Sequence, residues 1–278
     1  MATQVNYKEI IKQEYKKCLQ DPVYFMKRYC IIQHPQRGKI PFNLFPFQEK
    51  TLSDFYNFDY NIILKSRQLG ISTLCAGYAL WLMIFFSDKN VMVIATKQDT
   101  AKNLVTKVRV MWQNLPSWLK GTEPDEHNKL SMRFKNGSQI KAVTTSSDTG
   151  RSEALSLLIV DEAAFIDNIR EIWGGSQQTL ATGGKAIILS TPNGTGNFFH
   201  ETWEDAELNP KTRFHPIKLH WTVHPERNQA WRDKQDEILG PRLAAQECVS
   251  GNSSIFIVDN ETGMEEQLTI KQLYDRLS

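Results

Sequence analysis

Hydrophobic and polar positions divide the chain into stretches of different period. In the first 30 residues Tyr7, Ile10, Ile11, Tyr15 and Cys18 recur at helical spacing with lysines between them, which predicts an amphipathic packing helix. Pro35, Pro41 and Pro46 break helix and lead into a short helix that carries Phe47 and Gln48. The pattern then becomes short apolar runs alternating with stretches of helix length. Residues 62–64, 91–95, 157–160 and 186–189 read as strands covered on both faces. Residues 72–86, and a segment capped by Thr96 that runs through Val110 and Trp112, read as helices. Residues 130–134 and 139–143 flank Asn136-Gly137, a strong hairpin signal. Residues 214–219, a helix bearing Trp231 and the pair Gly240-Pro241 read as a small appended subdomain.

Strands alternating with helices predict an α/β fold with a parallel-rich sheet, in which ligands sit at the carboxyl ends of the strands. Three polar clusters fall there: residues 65–73, the pair Asp161-Glu162, and residues 190–193. At 278 residues, 41% hydrophobic and 23% charged, the chain is long enough for a large core, which excludes a disulfide-stapled miniprotein and a disordered chain. The longest apolar run, residues 74–86, is too short for a bilayer of about 30 Å. The start, Met1-Ala2-Thr3-Gln4, has no apolar signal core, so a protein retained in a reducing cytoplasm is expected. Cys18, Cys30, Cys75 and Cys248 form no CxxC pair, so neither a disulfide framework nor a zinc ribbon is indicated. The net charge of +2 is uneven: from Cys248 onward five acids face two bases, leaving five surplus positive charges on residues 1–247. That surplus is compatible with a nucleic-acid surface and falls short of the strongly basic balance of a dedicated binder.

The stretch Lys65-Ser66-Arg67-Gln68-Leu69-Gly70-Ile71-Ser72-Thr73 lies between strand and helix, where a P-loop lies, but departs from GxxxxGK[ST]: Lys65 stands at the first glycine and Ile71 at the lysine. A turn with Gly70 opening a helix still offers free backbone N–H groups and a dipole to phosphate, with a hydroxyl from Ser72 for Mg²⁺. A plain strand-to-helix turn is the bland alternative. The apolar run 157–160 ends in Asp161 and Glu162, two carboxylates costly to leave unpaired at the edge of a core. In a P-loop ATPase Asp161 would hold Mg²⁺ through its water shell and Glu162 would polarise the attacking water; the alternative is that both cap the next helix. Positive charge on the transferring phosphoryl group could come from Arg67 or, as a finger in cis or in trans, from Arg151, for which a surface salt bridge is the equal alternative. His215, His220 and His224 cluster without the spacing of a metal site.

With these residues in order, the chain from about residue 41 to 247 resembles the large terminase subunit of tailed bacteriophages, the ATPase that packages DNA into proheads. Phe47-Gln48 is similar to the adenine-recognising Q motif, KSRQLGIST to the deviant Walker A of terminases, LLIVDEAAF to Walker B, and Ser190-Thr191-Pro192-Asn193-Gly194 to the coupling motif. The resemblance implies a RecA-like (ASCE) P-loop ATPase that uses ATP and Mg²⁺, with Ser66, Gln68 and Thr73 beside Lys65, Arg67, Gly70 and Ser72 in the nucleotide loop. It leaves open whether Lys65 or Arg67 meets the γ-phosphate. It further implies double-stranded viral DNA, a portal or prohead, a small terminase subunit and other copies of the chain in a ring as partners, in the host cytoplasm, with no membrane. The RNase H-like terminase nuclease would lie beyond residue 278. A helicase or translocase of another P-loop family is the rival enzyme, though the length leaves no room for a second RecA-like domain. A non-catalytic nucleotide-binding scaffold is the rival of another class.

From Cys248 the pattern changes. Cys248-Val249-Ser250-Gly251, an apolar stretch 253–258, a turn through Asn260 and Gly263 and a helix over 270–277 resemble the N-terminal piece of an atypically split intein, joined in trans to a C-intein and nuclease half. The Cys248 thiol would attack the carbonyl of Glu247 to form a thioester; an ordinary buried cysteine is the alternative. The expected organisation is a helical segment 1–45, an ATPase core 46–200, a second subdomain 201–247 and a β-rich Hint segment 248–278.

Overall fold

A computed structural model describes residues 7–121, 124–143, 145, 154–248, 254–258 and 265–269. In chain order the elements are α1 (Tyr7–Gln20), α2 (Pro22–Tyr29), β1 (Ile31–His34), β2 (Gly38–Pro41), α3 (Pro46–Asn57), β3 (Tyr60–Lys65), α4 (Ile71–Phe85), β4 (Asn90–Ala95), α5 (Gln98–Gln113) and α6 (Ser117–Lys120). They continue as β5 (Pro124–His127), β6 (Ser131–Phe134), β7 (Gln139–Val143), β8 (Leu157–Asp161), α7 (Ile169–Leu180), β9 (Lys185–Ser190), α8 (Phe198–Leu208), β10 (Phe214–Leu219), α9 (Gln229–Leu239), α10 (Pro241–Cys248), β11 (Ser254–Val258) and β12 (Glu265–Thr269). Short 3-10 turns, Ala163–Phe165 and Trp221–Val223, follow β8 and β10.

The central sheet has eight strands in the order β10-β3-β9-β8-β4-β7-β6-β5. The run from β10 to β7 is parallel, and β6 and β5 continue it antiparallel. The apolar runs are continuous because each strand feeds two cores. Ile63, Val91, Val93, Leu157, Ile159, Ile187 and Leu189 join the core under α4 and α5, while Ile62, Met92, Ile94, Leu158, Val160, Ala186 and Ile188 join the one under α7 and α8. Alternation of side chains across a strand does this without a polar position, and each fully buried Val, Ile or Leu contributes about 1.5–3 kcal/mol. The α/β, mostly parallel expectation is met, as is the hairpin at Asn136-Gly137, where Gly137 has φ +83°.

Elsewhere the structure corrects the pattern. In α1 only Cys18 is buried; Tyr7 and Ile10 are 74% and 47% exposed, so its periodic face does not pack along its length on the described residues. The proline-bearing stretch after α2 forms the hairpin β1–β2, with Pro35 in the turn and Pro41 at a strand end, positions where a missing N–H is tolerated. Helix α5 is capped by Lys97 in extended conformation and not by Thr96. Phe214–Leu219, expected in an appended subdomain, pairs with β3 along its whole length as the edge strand of the main sheet. Helix α10 runs through the expected 247/248 boundary. Of the tail, β11 and β12 form an antiparallel hairpin, Ser254 opposite Thr269; the helix expected over 270–277 lies outside the described residues.

Candidate nucleotide site

β3 ends at Lys65 and α4 begins at Ile71, so the loop between them lies at the carboxyl edge of the sheet, as expected of a ligand site in such folds. Gly70 is the N-cap of α4 with φ +73°, and a Cβ there would lie 2.8 Å from Nε2 of Gln48. Glycine is therefore required twice, for the left-handed backbone and for the close approach. That Gln48 amide donates to the Leu69 carbonyl at 2.9 Å, and its oxygen accepts from the Phe45 N–H at 3.0 Å. The residue expected to read adenine thus braces the loop with its amide nitrogen and caps the start of its own helix with its amide oxygen. Phe47 is partly buried, stacked on Phe45 at 5.9 Å and 6.5 Å from the ring of His224.

The loop and the end of β8 meet directly. Ser72 Oγ donates to Asp161 Oδ2 at 2.6 Å, and Lys65 Nζ lies 3.2 Å from Glu162 Oε1. Asp161 is 5% exposed, and its other oxygen, Oδ1, is buried without a hydrogen-bond partner among the described residues. Burial pushes its pKa up, against Lys65 and the Ser72 hydroxyl, which favour the anion. Glu162 has φ +56°, an uncommon left-handed conformation for a side chain of its size, fixed by the 3-10 turn that follows. Both polar backbone groups of Ala164 in that turn are held from β9's end: its N–H by Ser190 Oγ at 3.1 Å and its carbonyl by Asn193 Nδ2 at 3.0 Å. Ser190 and Asn193, expected in a coupling motif, are thereby joined to the turn that follows Glu162. Thr191 is fully buried, with Oγ1 unpaired among the described residues.

The loop's first half is gripped from the opposite side. The Ser66 N–H donates to the Leu219 carbonyl of β10 at 2.8 Å. The Glu247 carbonyl accepts from the Arg67 N–H at 2.9 Å and from Ser66 Oγ at 3.0 Å, while its carboxylate pairs with the Arg67 guanidinium. Arg227, stacked 4.4 Å over the Trp231 ring, donates to the carbonyls of Arg67 and Gln68 at 2.9 and 3.2 Å. Gln68 has φ +57°. Burial pushes the Glu247 carboxyl up despite Arg67, and burial likewise raises the thiol of Cys248, which is 1% exposed.

A cavity of about 280 Å³ opens over this arrangement, lined by residues 67–73 together with Lys65, Glu162 and Lys107 of α5. The structure thus brings Lys65, Arg67, Gln68, Gly70, Ser72, Thr73, Asp161 and Glu162 together, with Ser66 beneath the loop and Ser190 and Asn193 behind Glu162. Arg151 lies outside the described residues. Sequence reasoning missed Glu247 and Arg227 as loop supports and Lys107 as a wall of the cavity; their only signal is charge, which carries no address without the fold.

The family model of the terminase large subunit, T4likevirus-type, N-terminal, matches residues 62–247. Among solved structures, the chain resembles the large terminase ATPase domain of Thermus phage P74-26, with 22% identity and a TM-score of 0.59 over 69% of this chain and 88% of that one. The large terminase of bacteriophage HK97 matches with 18% identity and a TM-score of 0.60 over 78% of this chain and 47% of that one. A large terminase from a thermophilic bacteriophage, solved in complex with ADP, matches with 14% identity and a TM-score of 0.59 over 77% of this chain and 54% of that one. The chain therefore spans about half the length of these last two proteins, and at these identities the likeness is one of fold. The family match, by contrast, covers well over half of the chain, and the chain accordingly belongs to the N-terminal family of T4likevirus-type terminase large subunits.

Proposed function

We propose that this chain is the ATP-hydrolysing part of a motor that packages double-stranded viral DNA. The observation that carries the reading is the convergence of the loop hydroxyl, the loop lysine and Glu162 on one cavity, with the buried Asp161 joined to it through Ser72 and Glu162 through Lys65. In this reading the free N–H groups at the start of α4 receive phosphate, and Lys65 neutralises it. Incoming phosphate competes with Glu162 for the Lys65 ammonium and frees the carboxylate to accept a proton from the attacking water. Arg67 or Arg151 adds positive charge to the transferring group, Arg151 from a neighbouring copy if the chain works as a ring.

Ser72 and Asp161 suit Mg²⁺: both offer hard oxygen donors, and the orphaned, buried Oδ1 of Asp161 calls for a cation or its water. When bound, the ion would supply charge neutralisation to the phosphate oxygens. ADP in the thermophilic-phage terminase supports a nucleotide here. The partners of the reading are viral DNA, a portal or prohead, a small terminase subunit and further copies of the chain.

The tail belongs to the same proposal: residues 248–278 act as an N-intein fragment, supported by the end of the family match at Glu247 and the hairpin that follows Cys248. Trans-splicing to a complementary fragment would then attach a nuclease half.

Steady-state ATP turnover with and without double-stranded DNA tests the motor. Glu162→Gln keeps size and hydrogen bonding and removes the proton acceptor, so nucleotide should still bind while turnover falls about 10²–10⁴-fold. Normal turnover in this variant would remove Glu162 from the role of base.

A further inference from the structure

Lysine at the position of Ile71 would place an ammonium among the phosphates, yet Ile71 is 1% exposed and packs into the core under α4. Two other cations at the cavity wall are already engaged. Lys65 is held by Glu162, and the Arg67 guanidinium is drawn aside by the Glu247 carboxylate. Lys107 is different: it lines the same cavity and makes no ion pair with another described residue. Its position follows from α5. Leu104 and Met111, three residues before and four after it, are buried, so Lys107 sits at the rim of the packed face. Helix α5 packs along α4, and Thr73 in the first turn of α4 shares both this cavity and the adjoining one with Lys107. A long side chain whose ammonium has no acidic partner among the described residues, at the edge of an anion-attracting helix start and facing a pocket whose consensus lysine is missing, is suited to a polyphosphate.

We infer that Lys107 is a second phosphate-binding lysine of this site, beside Lys65, and contacts the terminal phosphoryl group of a nucleoside triphosphate. The inference rests on the nucleotide reading above and deepens it: Lys65 and Lys107 together replace the single lysine absent at Ile71. Lys65 answers to Glu162, whereas Lys107 is available before nucleotide arrives. A nucleoside diphosphate, lacking the outermost group, gains little from it, so Lys107 sets the preference for triphosphate.

The test compares ATPγS and ADP binding, by calorimetry with Mg²⁺, in wild type, Lys107→Met and Lys107→Arg. The methionine keeps the apolar stem and drops the charge; the arginine keeps the charge. Lys107→Met should weaken ATPγS binding by about tenfold or more while ADP changes less than about threefold, since a hydrogen bond to a charged group is lost for one ligand only. Lys107→Arg should stay within about threefold of wild type for both. Melting temperature separates a folding effect, and Lys107→Met should not lower it. If the methionine variant binds both nucleotides like wild type, or loses both equally, the assignment of Lys107 is overturned while the nucleotide reading stands. A wild-type chain that binds neither nucleotide overturns both.

Discussion

At the scale of single residues, Asp161 concentrates the conflict between stability and function. Burial raises its pKa above that of the unfolded chain, so the folded state binds the proton more tightly. Stability is then greatest with the proton on and declines as pH rises through the range between the unfolded and folded pKa values, since there the unfolded chain has already released it. Without nucleotide or metal, Asp161→Asn should therefore raise the melting temperature at pH 8, with the gain shrinking as pH falls towards about 4. Calorimetry at the two pH values checks this, and a loss of stability at pH 8 would contradict it. The same variant should weaken the Mg²⁺ dependence of turnover. Gly70 shows the opposite case, a residue whose identity is dictated by backbone and by Gln48, and Glu162 shows strain held in place by Ser190 and Asn193.

Among elements, the contact that matters most for the loop is made by the region after β10. Arg227, just before α9, holds two loop carbonyls, and the end of α10 holds the Arg67 N–H, the Ser66 hydroxyl and the Arg67 guanidinium. Arg227 is half-buried, and burial lowers its pKa, so its charge is retained at the expense of solvation and is compensated by those carbonyls. Arg227→Ala should cost about 1–3 kcal/mol of stability, measured by denaturant unfolding, and should weaken nucleotide binding. Arg227→Lys should recover only part, because one ammonium does not reproduce the guanidinium fork or its stacking on Trp231. An unchanged affinity in the alanine variant would mean that the loop keeps its shape without this support.

For the whole molecule, the end of α10 joins the two halves of the proposal. Glu247 is both a support of the nucleotide loop and the residue whose carbonyl would be attacked by Cys248. Burial raises the Cys248 thiol, so at neutral pH it is protonated and a poor nucleophile in this state. The isolated chain should accordingly be nearly inert in splicing. Mixing it with a C-terminal fragment that supplies the remaining Hint strands should yield a longer product joined after Glu247, with residues 248–278 excised, and Cys248→Ala should abolish the ligation. Mass spectrometry reads the outcome; Cys248 still attached in every product would make the tail a structural extension.

Much of this architecture is legible from one chain because its signals are local. An apolar run of strand length with no polar position demands cover on both faces, Asn136-Gly137 demands a tight turn, and a glycine opening a helix after a strand marks an anion site. The carboxylates at the end of β8 are legible for the same reason, since they end an apolar strand. What tertiary structure alone decided is how distant segments meet. β10 reaches the main sheet through a parallel pairing with β3, whose partners lie far apart in sequence, and Pro216 within it is tolerated because the strand lies on an edge. Gln48 carries a recognisable motif, but only the fold directs both ends of its amide to the protein itself. Lys107, Arg227 and Glu247 are ordinary surface-type residues in the sequence. They acquire meaning because α5 brings Lys107 to the cavity wall while the approach to α9 and the end of α10 bring Arg227 and Glu247 onto the loop, and contacts across long chain separations leave no periodic trace for a sequence to display.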